Sequence, residues 1–371
     1  MYCILKRYAI QFLYKIKEDA MDIIILLLFS VLIFLLPKGN KDYLDKNSTN
    51  GLKGLLAIGI ILHHLSQWIS SGETFSNFQY MGTYIVSIFF FLSGYGLYIQ
   101  TQVKPDYLTS FFRKRLSKIL IPFVFISGIY LIYRMVYLKE IINLNFFYNL
   151  FLKHTTIIYN GWFVDIIILT YIFFYISFKF IKNTTVGIAI NFIFIVLYIV
   201  VAIKLNYGFW WYNSILTFII GLVWAKNKKV IDYFFEKYYF LSLMLFTILI
   251  FISHKYSIIL TKVGLVDAYS YAIAANLDNI IFTIYFMLII KNIDFSNNYL
   301  LKLGAISFEL YMVHGLAIAF FGKYFTSSNL NDILFTTVVF LVSIVSAKAI
   351  HLIIINIQKK WLTQKDSRKK K

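Results

Sequence analysis

The chain has 371 residues, 60% of them hydrophobic and only 14% charged, against roughly 45–50% apolar and about 25% charged residues in an ordinary soluble domain. A soluble fold has nowhere to bury so much apolar surface, whereas a bilayer accepts it on the outer face of every helix, so the composition excludes a soluble globular protein. The net charge of +19, from 36 Lys and Arg against 17 Asp and Glu, falls between apolar runs, where it sets topology and does not point to nucleic acid; the lone Cys3 excludes an intramolecular disulfide and a cysteine metal cluster.

Apolar runs occur near residues 22–36, 52–70, 80–100, 119–138, 161–180, 185–203, 207–225, 239–254, 270–290, 303–322 and 333–355. Most reach the ~20 residues that cross ~30 Å of hydrocarbon; the first is short. The pattern predicts an all-α, polytopic transmembrane helical bundle of ten core helices with a possible extra N-terminal helix. A basic segment (1–50) holding the short hydrophobic helix precedes one membrane domain (51–357), and a Lys-rich tail (358–371) follows it. If the loop 38–53 is cytoplasmic and the later runs alternate, the cytoplasmic segments hold 24 Lys and Arg and the opposite loops seven. That bias puts the C-terminus in the cytoplasm. Residues 1–20 carry Lys6, Arg7, Lys15 and Lys17, so run 22–36 either lies along the interface as part of a basic amphipathic segment or spans against the charge rule.

Ionisable groups inside hydrocarbon are expensive and are functional candidates by default. In 52–70, Lys53 stands at the cytoplasmic start and His64 eleven residues on. Three helical turns are about 10.8 residues, so the two share a face, roughly 16 Å apart. Gly54 and Gly59 would admit a close neighbour helix; His63 points about 100° away from His64 and reads as a packing or supporting residue. In FFFLSGYGLYI (89–99), Ser93, Gly94 and Gly96 suit helix packing or a ligand's approach. In SFFRKRLSKILIPF (110–123), Arg113, Lys114, Arg115 and Lys118 can form one cationic patch of the kind that holds phosphate oxygens, or can only anchor topology against anionic lipid headgroups.

Asn160-Gly161-Trp162-Phe163 opens a further helix, with Trp162 suited to an interfacial belt and Asp165 to an aqueous outer cavity. His154 and His254 fall at or beyond outer helix ends, where a solvated role is expected. In 303–322, His314 lies at a depth matching His64, with Ser307 on its face, Tyr311 one turn before it and Glu309 well around the helix. Two histidines from distant helices at one depth suggest a shared polar cavity. His351, near the cytoplasmic end of the last run, reads as structural. No zinc spacing and no nucleotide-binding loop is present, so neither a metal nor nucleotide hydrolysis is expected.

In this order the segments resemble the membrane acyltransferase family 3, integral O-acyltransferases that modify cell-surface glycans. Its pattern opens a helix with Arg-Gly-Leu and a His eleven residues after the Arg, matched by Lys53-Gly54-Leu55 and His64. An aromatic-Ser-Gly segment follows (Phe91-Leu92-Ser93-Gly94-Tyr95), then a basic motif running into a proline (Arg113 to Pro122), a Trp-Phe helix start (Trp162-Phe163) and a late block (Ser307-Phe308, Tyr311, His314). Lys53 and Lys118 stand where the pattern has Arg, keeping the charge and losing the bidentate fork.

The resemblance covers roughly residues 50–355. It implies an acyl-CoA donor, usually acetyl-CoA, on the cytoplasmic side of a bacterial cytoplasmic membrane, and an acceptor hydroxyl on a cell-envelope glycan or lipid-linked sugar. Arg113, Lys114, Arg115 and Lys118 would hold the CoA phosphates with Lys53 at the entrance. His64 would serve as acylated nucleophile or general base, assisted by His314 and Ser307, with Ser93, Asp165, Glu309 and Tyr311 around the substrate. Two other readings stay open: a secondary transporter or flippase for a lipid-linked glycan or small solute, and a membrane module that keeps this fold without catalysis.

Overall fold

The computed structural model describes residues 20–36, 42–69, 72–263, 267–325 and 329–368; the basic residues 1–19 with Cys3, and the last three lysines of the tail, lie outside them. The regular structure of the described residues is all helical, with no strand among them. The chain divides into two compact units, residues 1–82 with 292–353 and residues 83–291 with 354–371.

The first unit holds α1 (Ala20–Leu35), α2 (Lys46–Ser66), the single turn α3 (Glu73–Ser76) and the start of α4 (Phe78–Val103). Later in the chain it adds α12 (Asn298–Ala305), α13 (Ser307–Phe321) and most of α14 (Asn329–Arg368). Asp45 starts α2 by accepting the Ser48 amide at 2.6 Å, satisfying a donor that a helix start leaves bare. The predicted single run 303–322 is two helices, α12 and α13, bent by 70°. The break falls at Ile306, and Ser307 Oγ donates to the Gly304 carbonyl at 2.9 Å, covering an acceptor the break releases.

The second unit contains a π-helical turn (Phe112–Leu116) running into α5 (Ser117–Val136), α6 (Leu144–Leu152), α7 (Trp162–Phe180) and α8 (Thr184–Lys204). A 3₁₀ turn (Phe209–Trp211), α9 (Thr217–Lys237), α10 (Tyr239–Val263) and α11 (Ala268–Ile290) complete it. The sequence predicted one span over 207–225; the helix instead starts at Thr217 and runs through the predicted loop to Lys237. Residues 212–216 are irregular, and α11 satisfies their backbone: Asn276 Nδ2 donates to the Tyr212 carbonyl at 2.9 Å and Asn279 Nδ2 to that of Asn213 at 3.1 Å. Irregular backbone is tolerated at membrane depth only when protein or a watery cavity covers it. Packing of α4 on α9 is as close as backbones allow, since a Cβ on Gly94 would lie 2.2 Å from the Phe218 carbonyl oxygen and one on Gly221 2.1 Å from that of Phe91.

Among the described residues seven helices are long and apolar enough to cross a membrane, eight if the bent α12–α13 pair counts as one span. The expected ten core helices are therefore not all recovered on length and apolarity. The difference lies in α2, diluted by Lys53, two histidines and a polar start, and in α9, whose second half is cationic. Exposed Leu26, Val124, Ile193, Met244 and Phe251 are the side chains a bilayer would cover.

The first unit also fixes the course of α1. Asp22 accepts the amides of Thr74 (3.2 Å) and Phe75 (2.9 Å) at the start of α3. Gly72 beside it adopts φ +88°, and a Cβ there would stand 2.5 Å from the Asp22 carboxylate; only glycine suits both demands. The start of α1 thus lies at the same end as the close of α2. From Leu35 the chain must reach Asp45 in ten steps, at most ~33–36 Å. An α1 perpendicular to the ~31 Å length of α2 would leave roughly 39 Å, so α1 runs back along the unit.

In a Cys3→Ser chain, a membrane-impermeant thiol reagent is therefore expected to reach Leu36→Cys and Asn47→Cys from one side, and Asn77→Cys only from the other. Labelling of Leu36→Cys and Asn77→Cys from a common side would contradict this course.

Candidate functional site

The first unit brings the two predicted histidines together. His64 on α2 and His314 on α13 stack with ring centroids 5.0 Å apart and 24° between planes. Both are buried, His314 completely. Close backbone contact permits the approach: a Cβ on Gly54 would fall 2.6 Å from the Leu300 carbonyl oxygen, and one on Gly304 1.9 Å from that of Asn50. Tyr311, one turn before His314, lies 5.8 Å from its ring. His314 Nδ1 donates to the Leu310 carbonyl at 3.3 Å, which leaves the lone pair on Nε2, a buried atom with no hydrogen-bond partner. An imidazole nitrogen in that condition is available as a base or nucleophile.

His63, adjoining His64, donates from Nδ1 to the Phe78 carbonyl at 2.8 Å. Gln67 reaches both rings, with Oε1 3.3 Å from His64 Nδ1 and Nε2 3.3 Å from His63 Nε2. Sequence reasoning missed Gln67, although its spacing of four from His63 and three from His64 puts it within reach on one helix.

Of the other residues predicted for this unit, Ser307 is occupied at the helix break and Lys53 is half-buried on α2. Glu309 is 4% exposed and accepts from His351 Nδ1 at 2.9 Å. It is thus paired with α14, and His351 is more specifically engaged than its expected packing role.

The second unit carries the basic motif. Arg113, Lys114 and Arg115 lie in the π-helical turn and Lys118 just after it; π turns within helices are rare and frequent at functional sites. The predicted single patch is divided. Lys114 and Lys118 are exposed, Arg113 is half-buried, and Arg115 turns inward, donating to the Tyr171 hydroxyl at 2.6 Å with its guanidinium 5.2 Å from that ring. Beside it, burial pushes the Tyr107 phenol up to about 12, the Arg115 charge opposing and Tyr171 adding to the rise. Ser93 on α4 and Asp165 on α7 are half-buried, and Asp165 acts electrostatically on Tyr198 of α8.

One polar group in this unit was not anticipated at all. Asp278, 5% exposed in the middle of α11, accepts from Tyr84 Oη at 2.6 Å and from Ser253 Oγ at 2.5 Å. Tyr84 Oη lies 2.7 Å from His254 Nδ1. Because the Tyr84 proton is given to Asp278, His254 Nδ1 must carry the hydrogen in that second contact. The predicted solvated role for His254 is thus replaced by a place in a network, and an acid inside an apolar run was the available signal.

Among the described residues no group of three or more His, Cys, Asp and Glu is arranged to hold a metal. Compared with known proteins, residues 46–352 match the family model of an acyltransferase domain. No curated protein and no solved structure matches the chain.

Tyr84→Phe removes the hydroxyl while keeping the ring, leaving an Asp278 oxygen and His254 Nδ1 without their partner. The expected cost is about 1–3 kcal/mol, read as a lower melting temperature in detergent. An unchanged melting temperature would show that the network does not hold the second unit together.

Proposed function

The chain belongs to the membrane acyltransferase family 3, and from that membership we propose that it moves an acyl group, acetyl in the first instance, from cytoplasmic acyl-CoA to a hydroxyl of a cell-envelope glycan or lipid-linked sugar at a bacterial cytoplasmic membrane. The observation that carries the reading is the buried, stacked His64–His314 pair inside the matched segment.

The chemistry divides into two displacements. His64 Nε2 attacks the thioester carbon; the C–N bond forms, the C–S bond breaks, and the electron pair leaves on sulfur, which takes a proton from water as free CoA. The acceptor hydroxyl then yields its proton to His314 Nε2, its oxygen bonds to the acyl carbon, and the C–N bond breaks with its pair returning to His64. His314 finally gives its proton to water. Covalent catalysis splits one hard transfer into two easier ones, and a neutral imidazole has the lone pair that both histidines' tasks require. Two adjacent imidazoles with separate jobs fit this sequence better than one acting alone.

Donor binding is assigned to cations. Exposed Lys114 and Lys118 and half-buried Arg113 have the charge to hold CoA phosphates, with Arg115, anchored by Tyr171, keeping the turn in shape and Lys53 at the donor's entrance. Ser93, Asp165, Ser307, Glu309 and Tyr311 remain assigned to the surroundings of the substrate. A transporter reading would draw on the breaks near residues 206–216 and at Ile306, since discontinuous helices recur in transporters; family membership favours the transferase.

Purified protein given radiolabelled acetyl-CoA is expected to release CoA and to carry label. His64→Ala should abolish both. His314→Ala should still take up label and pass it to the acceptor about 10²–10⁴-fold more slowly. Labelling that survives loss of His64 would overturn the assignment of the nucleophile.

A further inference from the structure

One end of the second unit holds a row of rings to which the two displacements give no task. Trp211 adjoins Trp162 and Tyr207, with centroids 6.4 and 5.0 Å apart, and His154 lies against Tyr207 at 3.9 Å. The row stands by the last turn of α5, where the Arg134 guanidinium is 5.0 Å from the Tyr159 ring. The basic turn lies at the other end of α5, about 30 Å away along a helix of 20 residues. That is the thickness of the hydrocarbon such a helix crosses, so cations and rings stand at opposite faces of it.

Aromatic belts at the interface are ordinary, but a belt ring faces headgroups, and Trp211 is 6% exposed. Its Nε1, which can only donate, is buried with no hydrogen-bond partner among the described residues, and so is His154 Nδ1. Buried polar atoms left unsatisfied are costly and ask for a reason. Asp165, half-buried one turn into α7, acts electrostatically on Tyr198, whose hydroxyl donates to the Trp211 carbonyl at 3.2 Å. Among the described residues, the non-glycine positions of positive φ are Lys139, His154, Asn160 and Asn206, all in the connections at this end. Such backbone persists only where its surroundings hold it, so the segments around the rings have a fixed shape.

We infer that this row is a sugar-binding site for the acceptor, with Trp162 and Tyr207 against the C–H face of a pyranose, Trp211 Nε1 donating to a sugar oxygen and Asp165 accepting from a hydroxyl. The face of an aromatic ring is negative and attracts the positive C–H groups of a sugar. A hydroxyl both donates and accepts, so a polyhydroxylated ring satisfies an indole N–H, an imidazole nitrogen and a carboxylate alike. Aromatic rings also hold quaternary ammonium groups, but such a cation has no atom that accepts from Trp211. That the sugar is an acceptor rests on the proposed transferase reading; that the row binds a sugar does not.

The test is saturation-transfer NMR on the full chain in a sugar-free detergent. The probes are the methyl pyranosides of glucose, galactose, N-acetylglucosamine and rhamnose, with choline as the competing cation. At least one pyranoside should receive saturation from the aromatic protons. It should also shift the indole ¹⁵N–H resonance of Trp211, identified by its loss in Trp211→Phe. That variant keeps a ring and removes the donor, and it should weaken binding about fivefold, the worth of one hydrogen bond. Asp165→Asn, which keeps the shape and removes the charge, should weaken it by about the same factor and serves as the second variant if Trp211→Phe does not fold. Saturation of no pyranoside, saturation of choline alone, or sugar binding that neither variant weakens overturns the inference. The measurement requires no turnover: CoA release without sugar binding removes this site and leaves the transferase, and sugar binding without CoA release does the reverse.

Discussion

The first unit depends on backbone meeting backbone across three glycines. A Cβ on Gly51 would lie 1.8 Å from the Phe295 carbonyl oxygen, and Gly54 and Gly304 leave scarcely more room. Any side chain there would separate α2 from the segment that leads into α13, and the distance between His64 and His314 is set by that separation. Small residues at helix interfaces are the usual means of close approach in membranes, where lipid tails remove the hydrophobic drive between helices. The same contact accompanies the bend at Ile306, because Gly304 is pressed on the Asn50 carbonyl one turn before α13 begins. Packing, helix break and imidazole pair are one arrangement.

Much of the site was legible in the sequence because it obeys a simple period. His64 stands eleven residues from Lys53, and His314 lies at equal depth in its own run; the structure brings the two rings into stacking contact. The expectation for Gly54 is likewise answered by α12. What the period could not give was the break inside 303–322, since apolar character continues across Ile306 while the backbone does not. Residues 207–216 misled for the same reason: they are aromatic and apolar, but beyond the 3₁₀ turn Asn276 and Asn279 hold the Tyr212 and Asn213 carbonyls outside an α-helix, a constraint from sixty residues away.

The polar residues that were missed teach a different point. Asp278 is the only acid in its run, and a lone acid inside hydrocarbon is costly and calls for a partner; Tyr84 and Ser253 supply two. Gln67 was passed over because it is neither buried nor ionisable. It bridges the two adjacent rings, 3.3 Å from His63 Nε2 and 3.3 Å from His64 Nδ1. Arg115 shows the converse, a residue correctly placed in a cationic motif whose guanidinium turns to Tyr171 while Lys114 and Lys118 stay exposed.

The central claim is that His64 and His314 act as one catalytic unit, and a double-mutant cycle on steady-state transfer addresses it most directly. His64→Ala, His314→Ala and the double variant would be compared with the native chain in the rate of CoA release in the presence of acceptor. Residues that work as a unit lose their effect together, so the double variant should be no slower than the slower single one. Rate losses that multiply, each histidine costing the same factor whether or not the other is present, would contradict the account and leave the stacked pair as two independent packing residues.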